Sequence, residues 1–348
     1  MIDTPPELPR RPALNFTVAW ALFGMAAFFF VGVPAQLMHL AWGMWVSELV
    51  VLLGLAVISY QLVGFAPLQA MGLHRFDGRA IGLGFAVGLV NYVAWAVPLI
   101  SLTSAVFPKE MLDRADSAQV FESATPVELV VIMLAASIAA PLGEELFFRG
   151  FLQRGLELRR GAPFAIGVAA IVFSAFHLDV VGLGVRFQLG LLFGLLAWRA
   201  GSLWPAIAAH SAHNFISTVL YVLGHDAEKA EPGWIAPLVM LVLGNVALVA
   251  LFRLSQGWFP VKAPMAWVEV PVRAPRRLFF PWIAAGLASV ALILVLDFRG
   301  VQLNLLDVRL QPGKVLSKRP EVKDLRAKAR RGDAPVEDYE RLVRSLKN

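Results

Sequence analysis

The run VELVVIMLAASIAAPLGEELFFRG, residues 127–150, places two glutamates and an arginine near the end of an apolar segment long enough to cross a lipid bilayer. A spanning helix needs about 20 mostly apolar residues. A charged side chain in the middle of such a helix costs about 2.5 to 3.5 kcal/mol on insertion scales, so ionisable residues found there are functional candidates by default. This stretch therefore predicts a membrane helix with a polar site inside it.

The whole chain has a composition that agrees with this stretch. Of its 348 residues, 58% are hydrophobic and 16% are charged, whereas a soluble domain has about 25% charged residues. The absence of cysteine excludes disulfides, thiolate zinc sites and thiol nucleophiles. The net charge of +6 does not indicate nucleic-acid binding, because the basic residues lie between apolar runs and form no single patch. The lipid bilayer is the expected environment.

Nine apolar segments satisfy the length criterion for a membrane helix. They are residues 13–36, 43–66, 80–106, 127–148, 162–178, 183–199, 203–223, 234–254 and 278–297. The sequence thus predicts an all-α integral membrane protein, a polytopic bundle of about eight or nine transmembrane helices with a polar intramembrane site. Residues 335–348 have apolar positions at helical spacing among charges, which predicts a short amphipathic helix in the polar tail.

The charges of the connecting loops alternate in sign along the chain. Residues 107–126 and 225–231 are net acidic, whereas the other loops carry the basic residues, at 10–11, 74–79, 154–160, 199 and 262–277. Because basic loops stay on the cytoplasmic side, the N-terminus is predicted to be cytoplasmic. Nine spans then place the tail, residues 300–348, on the opposite side.

Helical geometry distinguishes the two adjacent glutamates of the fourth segment. Glu145 and Arg149 are four residues apart and lie about 40° apart around an α-helix, close enough for a salt bridge. Glu144 points about 140° away from Arg149 and lacks that local partner. We therefore expect Glu145 to be structural and Glu144 to be free for chemistry.

Two further segments carry polar residues at helical spacing. Phe173 and His177 share a face of the fifth segment, and His210 and Asn214 share a face of the seventh. His213 turns about 60° away from His210, which favours a structural role. One carboxylate, two imidazoles and one carboxamide can therefore converge from three helices.

Such a set of side chains suits the hydrolysis of an amide bond. A glutamate can take a proton from water, a histidine can hold that water, and a second histidine and an amide can donate hydrogen bonds to the oxyanion. A glutamate and two histidines can equally hold a zinc ion, which lowers the pKa of its bound water to about 7. The residues alone leave both routes open.

At these positions the chain resembles the CPBP intramembrane proteases, a family that includes CAAX prenyl endopeptidases and bacterial relatives linked to bacteriocin self-immunity. The family has three motifs, EExxxR, FxxxH and HxxxN/D, and all three occur here in order. They are Glu144-Glu145-Leu-Phe-Phe-Arg149, Phe173-Ser-Ala-Phe-His177 and His210-Ser-Ala-His213-Asn214. The resemblance covers residues 127–220 firmly and 45–255 loosely.

The resemblance implies an intramembrane endopeptidase in which Glu144 and His177 activate water while His210 and Asn214 stabilise the oxyanion. Glu145, Arg149 and Phe173 would support them. Zn²⁺, if present, would be held by Glu144, His177 and His210, but a metal-free glutamate mechanism is preferred.

On this interpretation the chain divides into four parts. They are N-terminal transmembrane helices (1–126), a CPBP protease core (127–223), C-terminal transmembrane helices (224–299) and a polar tail (300–348). Arg outnumbers Lys, and Ala is abundant. This composition is typical of proteins from GC-rich bacterial genomes, which favours the bacterial inner membrane as the location. The expected partners are then membrane-anchored proteins or peptides, cleaved at CAAX-like C-termini or sorting signals.

Two other classes of function fit buried Glu, His and Arg residues. Such residues also mark the ion pathways of proton-coupled transporters, although the sequence shows no internal repeat with paired broken helices of the transporter type. The second alternative is a non-catalytic membrane scaffold or immunity protein with the same fold. The sequence contains neither the HExxH zinc motif nor a GxSG serine site.

Overall fold

The computed structural model describes residues 14–63, 66–109, 111–112, 124–224, 235–254, 276–312, 316–317 and 319–347, and within them the fold is all-helical. The main helices are α1 (Leu14–Met38), α2 (Leu40–Leu62), α3 (Gly78–Val106), α4 (Pro126–Arg160), α5 (Ala162–Phe176), α6 (Leu183–Ala200), α7 (Trp204–Val222), α8 (Ile235–Leu254), α9 (Arg276–Leu296), α10 (Phe298–Leu310), α11 (Pro320–Arg331) and α12 (Val336–Lys347).

Each of the nine predicted apolar segments is a helix, from α1 to α9, which confirms the all-α class. Five of these helices are long and apolar enough to cross a membrane, namely α1, α2, α3, α4 and α6, and α9 with α10 adds a sixth if that bent pair is one span. The predicted number of eight or nine spans is therefore not confirmed. Helix α5 has only 15 residues, and α7 is long enough but carries two histidines and an asparagine.

The fourth helix differs from its prediction at its C-terminal end. A capping box, in which Thr125 and Glu128 satisfy each other's backbone N–H groups, begins the helix. The chain then stays helical through the basic residues 154–160, which were predicted to form a loop. Gly161 ends the helix with a φ of 81°, a conformation that glycine adopts without strain.

Small residues bring the helices around the site into close contact. A Cβ added at Gly84 or Gly88 of α3 would overlap the backbone of α7 at Pro205 or Ala209. In membranes, glycines four residues apart allow two helix backbones to approach closely. Gly190 of α6 packs in the same way against Ala170 of α5. These contacts hold α7 against α3, and α6 against α5.

The tail forms a small helical unit of its own. Helix α10 bends away from α9 by 93°, and α10, α11 and α12 share a core that includes Leu303, Val322, Tyr339 and Val343. The amphipathic helix predicted at residues 335–348 is confirmed as α12. The segments whose side of the membrane was predicted, residues 1–12, 224–233 and 256–277, lie almost entirely outside the described residues, so their location stays a prediction.

Candidate active site

Helix α4 changes its winding at the two adjacent glutamates. Glu144 ends a regular α-helical stretch, and Glu145–Gln153 continues as a π-helix. Turns of this width also occur in α1, α2 and α3 and earlier in α4, so the winding alone does not mark this site. The angles expected for an ideal α-helix therefore hold only approximately here, yet Glu145 still forms its ion pair with Arg149 at 2.8 Å, as the sequence predicts.

Glu145 is the centre of a buried ionic cluster. Its Oε1 atom accepts hydrogen bonds from Arg149 Nη1 at 2.8 Å and from His210 Nδ1 at 2.9 Å. The side chains of Glu145 and Arg149 are completely buried. Because removing one member of a buried ion pair leaves the other charge uncompensated, this arrangement is sensitive to substitution. Glu145 thus links the arginine of its own helix to the histidine of α7.

Arg149 is held by contacts with residues of α4, α5 and α6. Its Nη2 donates to the carbonyl oxygen of Gly190 on α6 at 3.2 Å. The guanidinium carbon lies 4.4 Å from the ring centroid of Phe173 and 5.4 Å from that of Phe193. A cation over an aromatic face is stabilised by the ring quadrupole. Phe173 therefore supports the ion pair, and it also contacts His177, at 5.0 Å between ring centroids.

Glu144 faces both motif histidines. Its Oε1 lies 3.9 Å from His177 Nε2, and its Oε2 lies 3.7 Å from His210 Nε2. Both distances are too long for a direct hydrogen bond. Polar groups at such a separation are commonly bridged by water. The structure thus places Glu144, His177 and His210 around one point, as the sequence predicts.

The contacts of the Nδ1 atoms of His177 and His210 show which ring nitrogen carries the proton. His177 Nδ1 contacts the carbonyl oxygen of Phe173 at 2.9 Å, and because a carbonyl only accepts, this nitrogen carries the proton. His210 Nδ1 contacts the carboxylate of Glu145 in the same way. In the neutral rings, the Nε2 atoms that face Glu144 are therefore hydrogen-bond acceptors.

The remaining residues of the third motif lie apart from this point. Asn214 is one turn along α7 from His210, and its Nδ2 donates to the carbonyl oxygen of Ala136 at 2.8 Å. Its second amide hydrogen has no hydrogen bond to another described residue. His213 is buried and packs against Tyr92, with ring centroids 5.3 Å apart. Its Nδ1 has no hydrogen-bond partner among the described residues, and its structural role stays a prediction.

The distances between the donor atoms of Glu144, His177 and His210 can be compared with those that a zinc ion requires. Zinc bonds to nitrogen and oxygen are about 2.0 to 2.2 Å long, so three ligand atoms must lie within roughly 4 Å of one another. Among the described residues, one set of three meets a limit of 4.8 Å, and it is not Glu144, His177 and His210. The three motif residues as placed do not fit a zinc ion.

The set that meets the limit is His39, Glu128 and Asp297, at the end of the bundle where the tail docks. His39 Nε2 lies 3.3 Å from Glu128 Oε1 and 3.6 Å from Asp297 Oδ2. Arg330 of α11 bonds to both carboxylates, so a cation already occupies this cluster. Burial lowers the pKa of His39 from its ordinary value, with the two carboxylates acting against this effect.

Sequence reasoning missed two residues that complete the surroundings of the site. Phe193 of α6 stacks on His210, with ring centroids 4.7 Å apart and the planes 19° apart. No motif marks this phenylalanine. Glu48 of α2 is buried, with its side chain against Gly143. Glu48 is an ionisable residue inside an apolar segment, and this position could have identified it from the sequence as a functional candidate.

The comparisons with known proteins match the same part of the chain. Residues 126–216 match the family model described as Rce1-like, type II CAAX prenyl endopeptidase. No curated protein and no solved structure matches the chain. The matched segment begins with the first residue of α4 and ends in α7, and it contains all three motifs. Residues 126–216 are therefore similar to the type II CAAX prenyl endopeptidases of the Rce1-like family, and this similarity covers the part of the chain that forms the site.

Proposed function

We propose that the chain is an intramembrane endopeptidase that hydrolyses a peptide bond in membrane-anchored protein or peptide substrates, with water activated by Glu144. The observation that carries the proposal is the convergence of the Nε2 atoms of His177 and His210 on the two oxygens of Glu144, at 3.9 and 3.7 Å. A water molecule at this point has one base and two imidazole groups within reach.

Glu144 is the general base of the proposed reaction. Its carboxylate takes a proton from the bound water while the oxygen attacks the scissile carbonyl, and the carboxyl then gives that proton to the leaving nitrogen. His177 has its Nδ1 proton committed to Phe173, so its Nε2 accepts a hydrogen bond from the water and orients it. Glu144 and His177 therefore act on the same water molecule.

His210 and Asn214 stabilise the developing oxyanion in the proposed mechanism. When both of its nitrogens carry protons, His210 donates from Nε2 towards the region of Glu144 while Nδ1 stays bonded to Glu145. Asn214 offers its second amide hydrogen from the same helix. Donors that are held in place before the reaction stabilise the transition state without reorganisation. Glu145 and Arg149 are positioning residues for His210.

A membrane-anchored substrate is favoured by an apolar groove beside the site. The groove has a volume of about 410 Å³ and lies between α4 and α7, the helices that carry Glu144 and His210. It is lined by Phe85, Val130, Met133, Leu134, Ser137, Ile138, Ser211 and Phe215. Most of these side chains are apolar and outward-facing, which suits an apolar segment or lipid chain that enters sideways from the bilayer.

Membrane proteomics tests the proposed function. Cells with the Glu144→Gln variant should accumulate uncleaved membrane-anchored precursors that cells with the wild-type chain process. Glu157→Gln is a suitable control, because Glu157 lies on the same helix but pairs with Arg154 at 3.5 Å, away from the histidines. Identical precursor profiles for the wild type and the well-expressed Glu144→Gln variant would contradict the proposal.

A further inference from the structure

A hydrolase inside a membrane needs a supply of water. The proposed reaction consumes one water molecule for each bond cleaved, yet Glu144 and His210 are only 7% and 4% exposed. Apolar side chains around them hold no hydrogen-bonded water. A route to the site therefore needs polar groups that cross the apolar part of the bundle.

Glu48 is a buried acid next to the site that the proposed mechanism does not use. It lies in the apolar helix α2 and is 4% exposed. A Cβ added to Gly143, the residue before Glu144, would lie 3.0 Å from Glu48 Oε2 and would overlap the backbone carbonyl of Glu48. The glycine thus lets the carboxyl of Glu48 approach the helix that carries Glu144.

Two carboxyl oxygens, one on Glu48 and one on the residue after Gly143, lack a hydrogen-bond partner among the described residues. They are Glu48 Oε2 and Glu144 Oε2, and both are fully buried. A buried polar atom without a partner costs about 1 to 3 kcal/mol. In proteins such atoms are usually satisfied by an internal water, which bonds to about three polar groups. The two acids together therefore offer a site for water.

Polar side chains continue from Glu48 towards the end of the bundle. Ser47 Oγ lies 3.3 Å from Glu48 Oε1, and Gln36 Nε2 donates to Ser47 Oγ at 2.7 Å. Gln36 lines a cavity of about 270 Å³ between the bundle and the tail, together with His39 and Arg330. A row of polar groups thus joins a polar cavity to the carboxyl of Glu48.

We propose that this row is the entry route of the hydrolytic water, from the cavity past Gln36 and Ser47 to a water site between Glu48 and Glu144. Glu48 is a positioning residue that holds the water before it reaches the site of attack. The purpose of this water route rests on the proposed function. Whether the route exists, however, can be tested without any substrate.

Silver ion is a suitable probe, because Ag⁺ is small enough to follow narrow water paths and reacts with thiols. The chain has no cysteine, so a single introduced thiol reports alone. Ser47→Cys and Ser59→Cys form a matched pair: both serines lie on α2, are 0% exposed and bond to the carbonyl three residues earlier. Only Ser47 also joins Gln36 to Glu48.

Each folded variant is treated with Ag⁺ and is then denatured and alkylated. We expect Ag⁺ to bind the thiol of Ser47→Cys and block its alkylation, and to leave the thiol of Ser59→Cys free to be alkylated. Equal protection or equal lack of protection at the two positions would overturn the route. This result does not depend on proteolysis. The protease proposal can therefore fail while the water route stands, and the route can fail while the protease proposal stands.

Kinetics test whether the route feeds the reaction. Ser47→Ala, Gln36→Leu and Glu48→Leu should each lower kcat roughly tenfold, equivalent to about 1.4 kcal/mol, with little change in KM, because they slow water entry and leave the groove intact. Glu48→Gln should fall between Glu48→Leu and the wild type, since an amide still holds water. Ser59→Ala is the control. Wild-type kcat in Ser47→Ala and Glu48→Leu would reject the route.

Discussion

Glu144 and Glu145 are adjacent in the chain, but only Glu145 has charged partners within hydrogen-bond distance. Glu145 bonds to Arg149 at 2.8 Å and to His210 at 2.9 Å. The nearest imidazole nitrogens to Glu144 are 3.7 and 3.9 Å away. One carboxylate is therefore committed to holding the site together, whereas the other retains room for a water molecule.

The two glutamates should respond differently to the same substitution. Glu144→Gln keeps the size of the side chain and removes the base, so it should abolish turnover with little loss of stability. Glu145→Gln leaves Arg149 without its counter-charge in a buried place, so it should destabilise the fold by about 3 to 5 kcal/mol. Thermal unfolding and single-turnover cleavage in detergent measure both effects.

The reverse pattern would contradict the assignment of the base. A Glu144→Gln variant that cleaves near the wild-type rate, beside a stably folded but inactive Glu145→Gln variant, would identify Glu145 as the catalytic carboxylate. Glu157→Gln should match the wild type in turnover, because Glu157 is remote from the histidines.

Proteolysis should survive exhaustive treatment with a membrane-permeant chelator. This expectation follows from the spacing of Glu144, His177 and His210, whose donor atoms do not all lie within 4.8 Å of one another. Metal analysis of the purified protein is the companion measurement. Stoichiometric zinc, together with loss of activity on its removal and recovery on its return, would show instead that the three side chains close around a metal.

The helices and the core of the site could be predicted from local sequence patterns. The length of the apolar segments predicted helices α1 to α9, and the four-residue spacing of Glu145 and Arg149 predicted their salt bridge. Both features depend on residues close together in the chain. The motifs then identified His177 and His210 as residues that meet Glu144 in space.

Contacts between distant segments could not be predicted in this way. The stacking of Phe193 on His210 and the approach of Glu48 to Gly143 join helices whose packing no local pattern specifies. The three-helix tail was also missed beyond α12, because α10 and α11 bury their apolar residues against each other and α12, and Val301 of α10 packs against the distant residues Ala35 and Val46. The number of spans depends on short or polar helices such as α5 and α7, for which length and composition are indecisive.

Gly143→Ala should separate α2 from α4. The added methyl group would overlap the backbone of Glu48, which cannot move without shifting the helix, so we expect a loss of about 1 to 3 kcal/mol and reduced activity. Gly167→Ala on α5 is the control, since a Cβ there meets nothing within 4 Å. Thermal unfolding of the two variants compares them. Equal melting temperatures would show that the contact at Gly143 is not tight.

Docking of the tail should weaken as the pH falls below about 6.5. Burial lowers the pKa of His39 from 6.5 in the docked state, so the undocked state binds more protons just below that pH and is favoured on acidification. The charged groups that face His39 are Glu128, Asp297 and Arg330. Hydrogen exchange of the α11 amides, corrected for intrinsic rates, measures the docking equilibrium.

Two variants separate the histidine from the ion pairs of the tail. His39→Gln should remove the pH dependence and keep the tail docked. Arg330→Ala should weaken docking by about 1.5 to 3 kcal/mol at every pH, because it removes the charged hydrogen bonds to both carboxylates. A pH dependence that persists unchanged in His39→Gln would assign the titration to another group.

The last prediction concerns the sides of the membrane on which the loops and the tail lie. Arg330 joins the tail to Glu128, at the first turn of α4, whereas Arg160 ends that helix after 35 residues. We therefore expect the tail and Arg160 to lie on opposite sides of the membrane. The basic residues 154–160, which end α4, predict a cytoplasmic position for Arg160, and the acidic residues 225–231 predict the other side for position 228.

Single cysteines in the cysteine-free chain decide the orientation with a membrane-impermeant maleimide. Lys323→Cys, on the exposed face of α11, and Glu228→Cys should be labelled from outside the cell, and Arg160→Cys only after the membrane is opened. Labelling of Lys323→Cys and Arg160→Cys from the same side would contradict the docking of the tail at the start of α4. If all three positions are labelled from the sides opposite to those expected, the fold is unchanged but its orientation in the membrane is reversed. The contact of Arg330 with Glu128 determines which ends lie together, whereas the loop charges alone determine which side is cytoplasmic.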